Sequence, residues 1–108
     1  MDYITLNNGM EMPILGYGTY QTPPRLTERC VADALRAGYR SIDTAQCYGN
    51  EHEVGIACRK LGIARQELFI TTKLWACHVY QDTLRSIDSS LKKIGMEYID
   101  LLLIRTYW

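Results

Sequence analysis

Three times in this chain a short apolar stretch runs into a charged residue: YRSID at residues 39–43, LFITTK at 68–73 and IDLLLIR at 99–105. Stretches with apolar residues at helical spacing separate them. Val54, Ala57, Cys58 and Leu61 form one stripe, and Tyr80, Leu84, Ile87, Leu91 and Ile94 form a longer one. Strands alternating with helices long enough for a right-handed crossover give a parallel sheet, so the fold class is α/β. In such sheets chemistry gathers where a strand gives way to the following loop and helix. Asp43, Tyr48, Lys73 and Arg105 all fall at such ends and are read together.

Ahead of these units, residues 3–6 alternate apolar and polar, Asn7-Asn8-Gly9 signals a tight turn, and residues 11–15 resume an extended pattern. This predicts a hairpin over 3–15. Residues 14–18, ILGYG, read as a short buried strand whose glycines allow close backbone approach. Thr22-Pro23-Pro24 then breaks the chain. Pro24 suits the first position of a helix, and Cys30, Val31, Ala34 and Leu35 share an apolar face before Gly38 ends it. The next strand is expected over 40–44, followed by a helix with Asn50 as N-cap and Glu53 at the capping-box position, which Gly62 terminates. Glu51 and Glu53 suit a helix start through the macrodipole. A strand over 68–74, a loop at 75–78, a helix ending before Gly95 and a strand over 98–104 follow. That last strand is almost wholly apolar and is expected to be buried on both faces. A doubly wound sheet and a (β/α)8 barrel both fit this order. No G-x-G-x-x-G follows any strand, which weighs against the dinucleotide fold.

At 108 residues the chain is one small domain or a piece of a larger one. Twelve lysines and arginines balance twelve aspartates and glutamates, so no net field favours nucleic acid or an anionic membrane surface. A small molecule or another protein is the expected partner. No apolar run approaches the ~20 residues of a membrane span, and MDYITLNNG lacks the marks of a signal peptide, which makes the cytoplasm the default. Of four cysteines, Cys30 and Cys58 fall on apolar helix faces and Cys47 and Cys77 in loops, with no CxxC pair. Reduced thiols are expected. Cys47, His52, Cys77 and His78 match no zinc spacing, so no metal site is assigned.

Laid out this way, the sequence resembles the aldo-keto reductase family over nearly its whole length. GYRSIDTAQCYGNEHEVG, beginning at Gly38, carries most of the resemblance, supported by LNNGMEMPILGYGTYQ, ELFITTKLW and SLKKIGMEYIDLLLI. The resemblance implies TIM-barrel-type (β/α) units from about residue 14 to 108 after the N-terminal hairpin. That is about half of a barrel that needs roughly 250 residues. It also implies NADPH-dependent reduction of aldehydes or ketones. Three of the family's four catalytic residues map onto Asp43, Tyr48 and Lys73. The fourth, a histidine after the last apolar run, does not, because Ile104 is followed by Arg105. Gly18, Thr19, Tyr20 and Asp43 are the implied cofactor contacts in this chain, and Tyr20 and Trp75 the implied substrate pocket. The family's nicotinamide-stacking aromatic and phosphate-binding basic residues belong mostly to the half beyond this chain.

The chemistry asks for a proton donor near the carbonyl oxygen. A phenol ionises near pH ~10, and a neighbouring cation favours its ionised form. In that role Tyr48 is the acid, Lys73 the cation, and Asp43 the carboxylate that holds the ammonium. Arg105 could polarise a carbonyl but cannot shuttle a proton. Each also has a plain reading: Asp43-Thr44 as a turn cap, Tyr48 as a packed loop aromatic, Tyr20 and Trp75 as rim or core packing. A lysine ending a buried strand is harder to place without a partner. Half a barrel exposes two sheet edges and an apolar face. The chain alone is therefore expected to be inactive and to associate with itself, whether as a non-catalytic half-barrel or as a truncated gene product.

Overall fold

Strands and helices alternate in the order expected, although the last strand begins at Leu101 and not at 98, Trp75 ends a strand where a loop is expected, and the rest of that loop, 76–78, lies outside the described residues. The computed structural model describes residues 2–75 and 80–105, without the side chains of Trp75 and Arg105. Strands β1 (Tyr3–Thr5) and β2 (Glu11–Pro13) pair antiparallel, with Tyr3 opposite Pro13. Gly9 turns the hairpin at φ 88°, and the Asn8 side chain accepts the Met10 N–H at 3.0 Å. This is the Asx-type chemistry that Asn7-Asn8-Gly9 promises. The second strand stops at Pro13, two residues before the expected end.

Then come β3 (Gly16–Gly18), α1 (Pro24–Arg36), β4 (Ser41–Asp43), α2 (Glu51–Lys60), β5 (Phe69–Trp75), α3 (Tyr80–Ile94) and β6 (Leu101–Arg105). Single 3-10 turns cover Gln46–Tyr48 and Arg65–Glu67. The four later strands form one parallel sheet in the order β3-β4-β5-β6. Sequence-adjacent strands are spatial neighbours throughout, as successive β/α units require.

Side chains alternate across the sheet. One face presents Ile42 and Ile70 to the helices, where they pack with Val31 and Leu35 of α1, Val54, Ala57 and Cys58 of α2, Leu68, and Ile94 of α3. The other face carries Ser41, Asp43, Thr71 and Lys73. Gly16 lies on that second face, where an added Cβ would sit 3.2 Å from the Ser41 hydroxyl. The predicted close approach at this glycine is therefore real.

Two expectations about burial fail, each for a positional reason. Ile14 and Leu15 lie in the link between hairpin and sheet, 62% and 56% exposed, and the strand that begins at Gly16 is not buried either, with Gly16 and Gly18 exposed and Tyr17 half-buried. β6 is not buried on both faces: Leu103 and Ile104 are 42% and 57% exposed, since β6 is the last strand of the described sheet. The stripe of α3 is buried only toward its end, with Ile94 fully covered and Tyr80 and Leu84 exposed.

Helices α2 and α3 are in close contact at Gly55. A Cβ there would fall 1.8 Å from the Ile94 carbonyl oxygen, which belongs to backbone that cannot swing aside. Gly55→Ala is therefore expected to destabilise the fold by about 2 kcal/mol or more, read as a lower denaturant midpoint with an unchanged slope. Cys58, 2% exposed, has its thiol pushed up to about 11 by burial, against which Arg65 and Arg59 pull only weakly. A raised folded value means that the neutral thiol's contribution is intact below the unfolded thiol's ~8.5 and is lost as pH climbs toward the folded value. Stability is expected to fall more steeply between those limits in the wild type than in Cys58→Ala, by on the order of 2 kcal/mol. Denaturation series across that pH range check this.

Candidate active site

The site lies where β3, β4 and β5 end. Register places Gly18 beside Asp43 and Asp43 beside Thr71, with Lys73 two residues further along β5 on the same face. From there the Lys73 ammonium reaches the Asp43 carboxylate and donates to the Thr44 carbonyl at 3.0 Å. The lysine side chain is 15% exposed and that of Asp43 46%. The cation is thus largely desolvated and its carboxylate opens toward solvent. Tyr48 closes the 3-10 turn after β4, and its ring centroid lies 5.2 Å from the Lys73 nitrogen. The structure therefore brings Asp43, Tyr48 and Lys73 together as expected. Such a group sets a positive charge, held by a carboxylate, against an aromatic ring.

Tyr20 stands beside this trio, its ring 5.3 Å from that of Tyr48 at 51°, and is 66% exposed. Gly18 faces open space, with nothing within 4 Å of an added Cβ. Thr19 differs from both. It is fully buried; its N–H donates to the Asp43 carbonyl at 3.0 Å, and its hydroxyl proton is shared between that carbonyl at 3.3 Å and Asn50 Oδ1 at 3.2 Å. Its side chain is thus hydrogen-bonded within the chain. Trp75 and Arg105 pair in register at the ends of β5 and β6, and their side chains lie outside the described residues.

Asn50 corrects the sequence reading. It precedes α2 but makes no side-chain capping bond, so the capping box with Glu53 does not form. The amide turns inward instead. Its Oδ1 accepts the Thr19 and Thr44 hydroxyls at 3.2 and 2.7 Å, and its Nδ2 donates to the Thr19 and Thr22 carbonyls at 3.0 and 3.2 Å. Glu51 likewise does more than complement a dipole: buried, it accepts the Thr72 hydroxyl at 2.6 Å. Asn50 and Glu51 look like ordinary helix-start residues in sequence, and no local signal separates an amide that caps from one that reaches across the chain.

Of the residues weighed for metal, Cys47 is exposed on the 3-10 turn and His52 Nδ1 lies 3.3 Å from the Lys93 carbonyl, while Cys77 and His78 lie outside the described residues. Cys30, Cys47 and Cys58 are free thiols. No helix among the described residues is long and apolar enough to cross a membrane.

Comparison with known proteins gives this geometry its family. The model of the Aldo/keto reductase family matches residues 14–106. The chain is 49% identical over 102 residues to an aldo-keto reductase of Mycolicibacterium smegmatis, covering 94% of this chain and 37% of that protein. It is 43% identical over 101 residues to glycerol 2-dehydrogenase (NADP(+)) of Saccharomyces cerevisiae, covering 94% of this chain and 32% of that protein. Against the crystal structure of an aldo/keto reductase from Brucella melitensis the TM-score is 0.91 at 49% identity, over 95% of this chain and 41% of that one. The chain thus spans little more than a third of the length of such relatives, and its sheet is a partial TIM barrel. It belongs to the aldo/keto reductase family.

Proposed function

We propose that this chain carries the proton-donating side of an NADPH-dependent reduction of aldehydes or ketones to alcohols. The observation that supports this most directly is the contact of Lys73 with the Asp43 carboxylate beside the Tyr48 ring. Relatives named as glycerol 2-dehydrogenase (NADP(+)) and aldehyde reductase agree with it.

Gly18, Tyr20 and Asp43 lie at the strand ends with Gly18 and Tyr20 exposed and Asp43 half-exposed, and they fit the edge of a nicotinamide cofactor, with buried Thr19 bonded to the Asp43 carbonyl between them. When bound, that cofactor supplies the hydride. Tyr48 gives its phenolic proton to the carbonyl oxygen as the carbon is reduced. The charge left on the phenolate is stabilised by Lys73, whose position is fixed by Asp43 and by the Thr44 carbonyl. Tyr20 forms one wall of the carbonyl pocket, and Trp75 is assigned to the same wall.

The 108 residues alone are proposed to be inactive, because the family's remaining cofactor contacts come from other parts of the barrel. The test is a chimera in which this chain through Ile104 replaces the corresponding segment of the Brucella melitensis reductase. It is expected to consume NADPH with a generic aldehyde, and Tyr48→Phe to lower turnover by about 100-fold or more. Lys73→Met is expected to do the same. A chimera indifferent to both substitutions overturns the assignment.

Leu103 and Ile104 on β6, with Tyr80 and Leu84 on α3, leave apolar surface that favours a second copy of the chain. The isolated chain is accordingly proposed to self-associate. Sedimentation velocity across a dilution series is expected to show dimers or larger species, and a folded monomer at all concentrations contradicts it.

A further inference from the structure

The chain holds one non-glycine residue at positive φ among those described, Gln21 at 62°. It lies in the segment between β3 and α1 that carries Tyr20 to its place beside Tyr48. Such backbone persists only when its surroundings over-determine it. Asn50 supplies that determination. Its Nδ2 donates to the carbonyls of Thr19 and Thr22, which straddle Tyr20 and Gln21, while its Oδ1 takes the hydroxyl of Thr44. Thr44 is also the residue whose carbonyl receives the Lys73 ammonium. One buried amide, with all four of its hydrogen-bonding positions filled, thus ties the strained loop to the strand end that holds the lysine.

We infer that Asn50 is a positioning residue that latches the Tyr20 loop against Tyr48 and so shapes one wall of the carbonyl pocket. It touches none of the reacting groups and acts through Thr19, Thr22 and Thr44. The inference deepens the reductase reading and rests on it for the meaning of the pocket. The latch itself can be observed without cofactor or substrate.

The experiment uses the full chain labelled with fluorotyrosine and read by fluorine NMR at neutral pH, with Tyr20 and Tyr48 each assigned from its own Phe substitution. Asn50→Asp preserves shape but turns the Nδ2 donor into an oxygen facing two carbonyls. It is expected to shift and broaden the Tyr20 and Tyr48 resonances. Those of Tyr17 and Tyr39, a separate edge-to-face pair at 6.3 Å, are expected to stay in place. Adding Gln21→Gly, which adopts positive φ without strain, should bring the two moved signals part of the way back. A general loss of packing would gain nothing from that change at the loop. Should Asn50→Asp not fold, Thr19→Val removes a single hydroxyl of the same cluster and is expected to move the same two signals by less.

The latch is overturned if Tyr20 and Tyr48 stay unmoved in a folded variant, if all four resonances move alike, or if Gln21→Gly restores nothing. An inactive chimera alongside the expected tyrosine behaviour removes the reductase reading and keeps the latch. An active chimera with unmoved tyrosines does the reverse.

Discussion

The site depends on the register of two parallel strands. Asp43 of β4 lies beside Thr71 of β5, so Lys73 emerges one step further along the same face and can reach back to the carboxylate. A slip of one residue would turn Lys73 toward the helices and place an ammonium among Ile42, Ile70 and Val54, at a cost of several kcal/mol. The apolar face and the ion pair therefore select the same register from opposite sides of the sheet. Neither feature suffices alone, since strands this short offer few ladder bonds by which to choose an alignment.

The first turn of α2 then binds the strand ends to one another. Asn50 engages the ends of β3 and β4 through Thr19 and Thr44, and the next residue, Glu51, engages β5 through Thr72. Both are buried. Tyr48 lies two residues ahead of this double attachment, on a 3-10 turn whose Gln46 side chain donates to the Ser86 carbonyl of α3 at 2.8 Å. The phenol is consequently placed by hydrogen bonds on both sides of its turn, and the ring pairing with Tyr20 follows from the same attachment. Groups held this way lose little geometry to thermal motion, and proton transfer depends on geometry first.

Much of this was legible in the sequence, and the boundary between what was and was not follows from range. Helix stripes such as Val54-Ala57-Cys58 and turn residues such as Gly9, Gly38 and Gly62 are set by local rules, and they reappear in place. The charged residues ending apolar runs marked Asp43 and Lys73 because an ion at the end of a buried strand needs a partner. Exposure was misread where it depends on what lies beside an element: Ile14, Leu15, Leu103 and Ile104 are apolar in sequence whether or not anything covers them. Asn50 departs from its expected capping role for a related reason. The same amide that can cap a helix can also bridge two strands, and only the folded neighbours decide which. The backbone places Arg105, the last described residue of β6, level with Trp75.

The opposite end of the sheet shows why the end that carries Asp43 and Lys73 is free to be polar. At the start of β5 and β6 the Asp100 carboxylate accepts the Ile70 N–H at 2.8 Å and pairs with Arg65 at 2.8 Å. The same guanidinium donates to the Tyr98 carbonyl at 2.9 Å and lies 4.0 Å over the Tyr98 ring. Asp100 returns its own N–H to the Ile70 carbonyl at 3.0 Å. These bonds fix β6 on β5 before either strand reaches the site, which is how Leu103 comes to lie level with Lys73. With alignment settled at one end, the residues at the other need not supply it. Asp43, Tyr48 and Lys73 are then free of that aligning role, in keeping with the division between a stabilising end and a loop-bearing end that belongs to barrels of this kind.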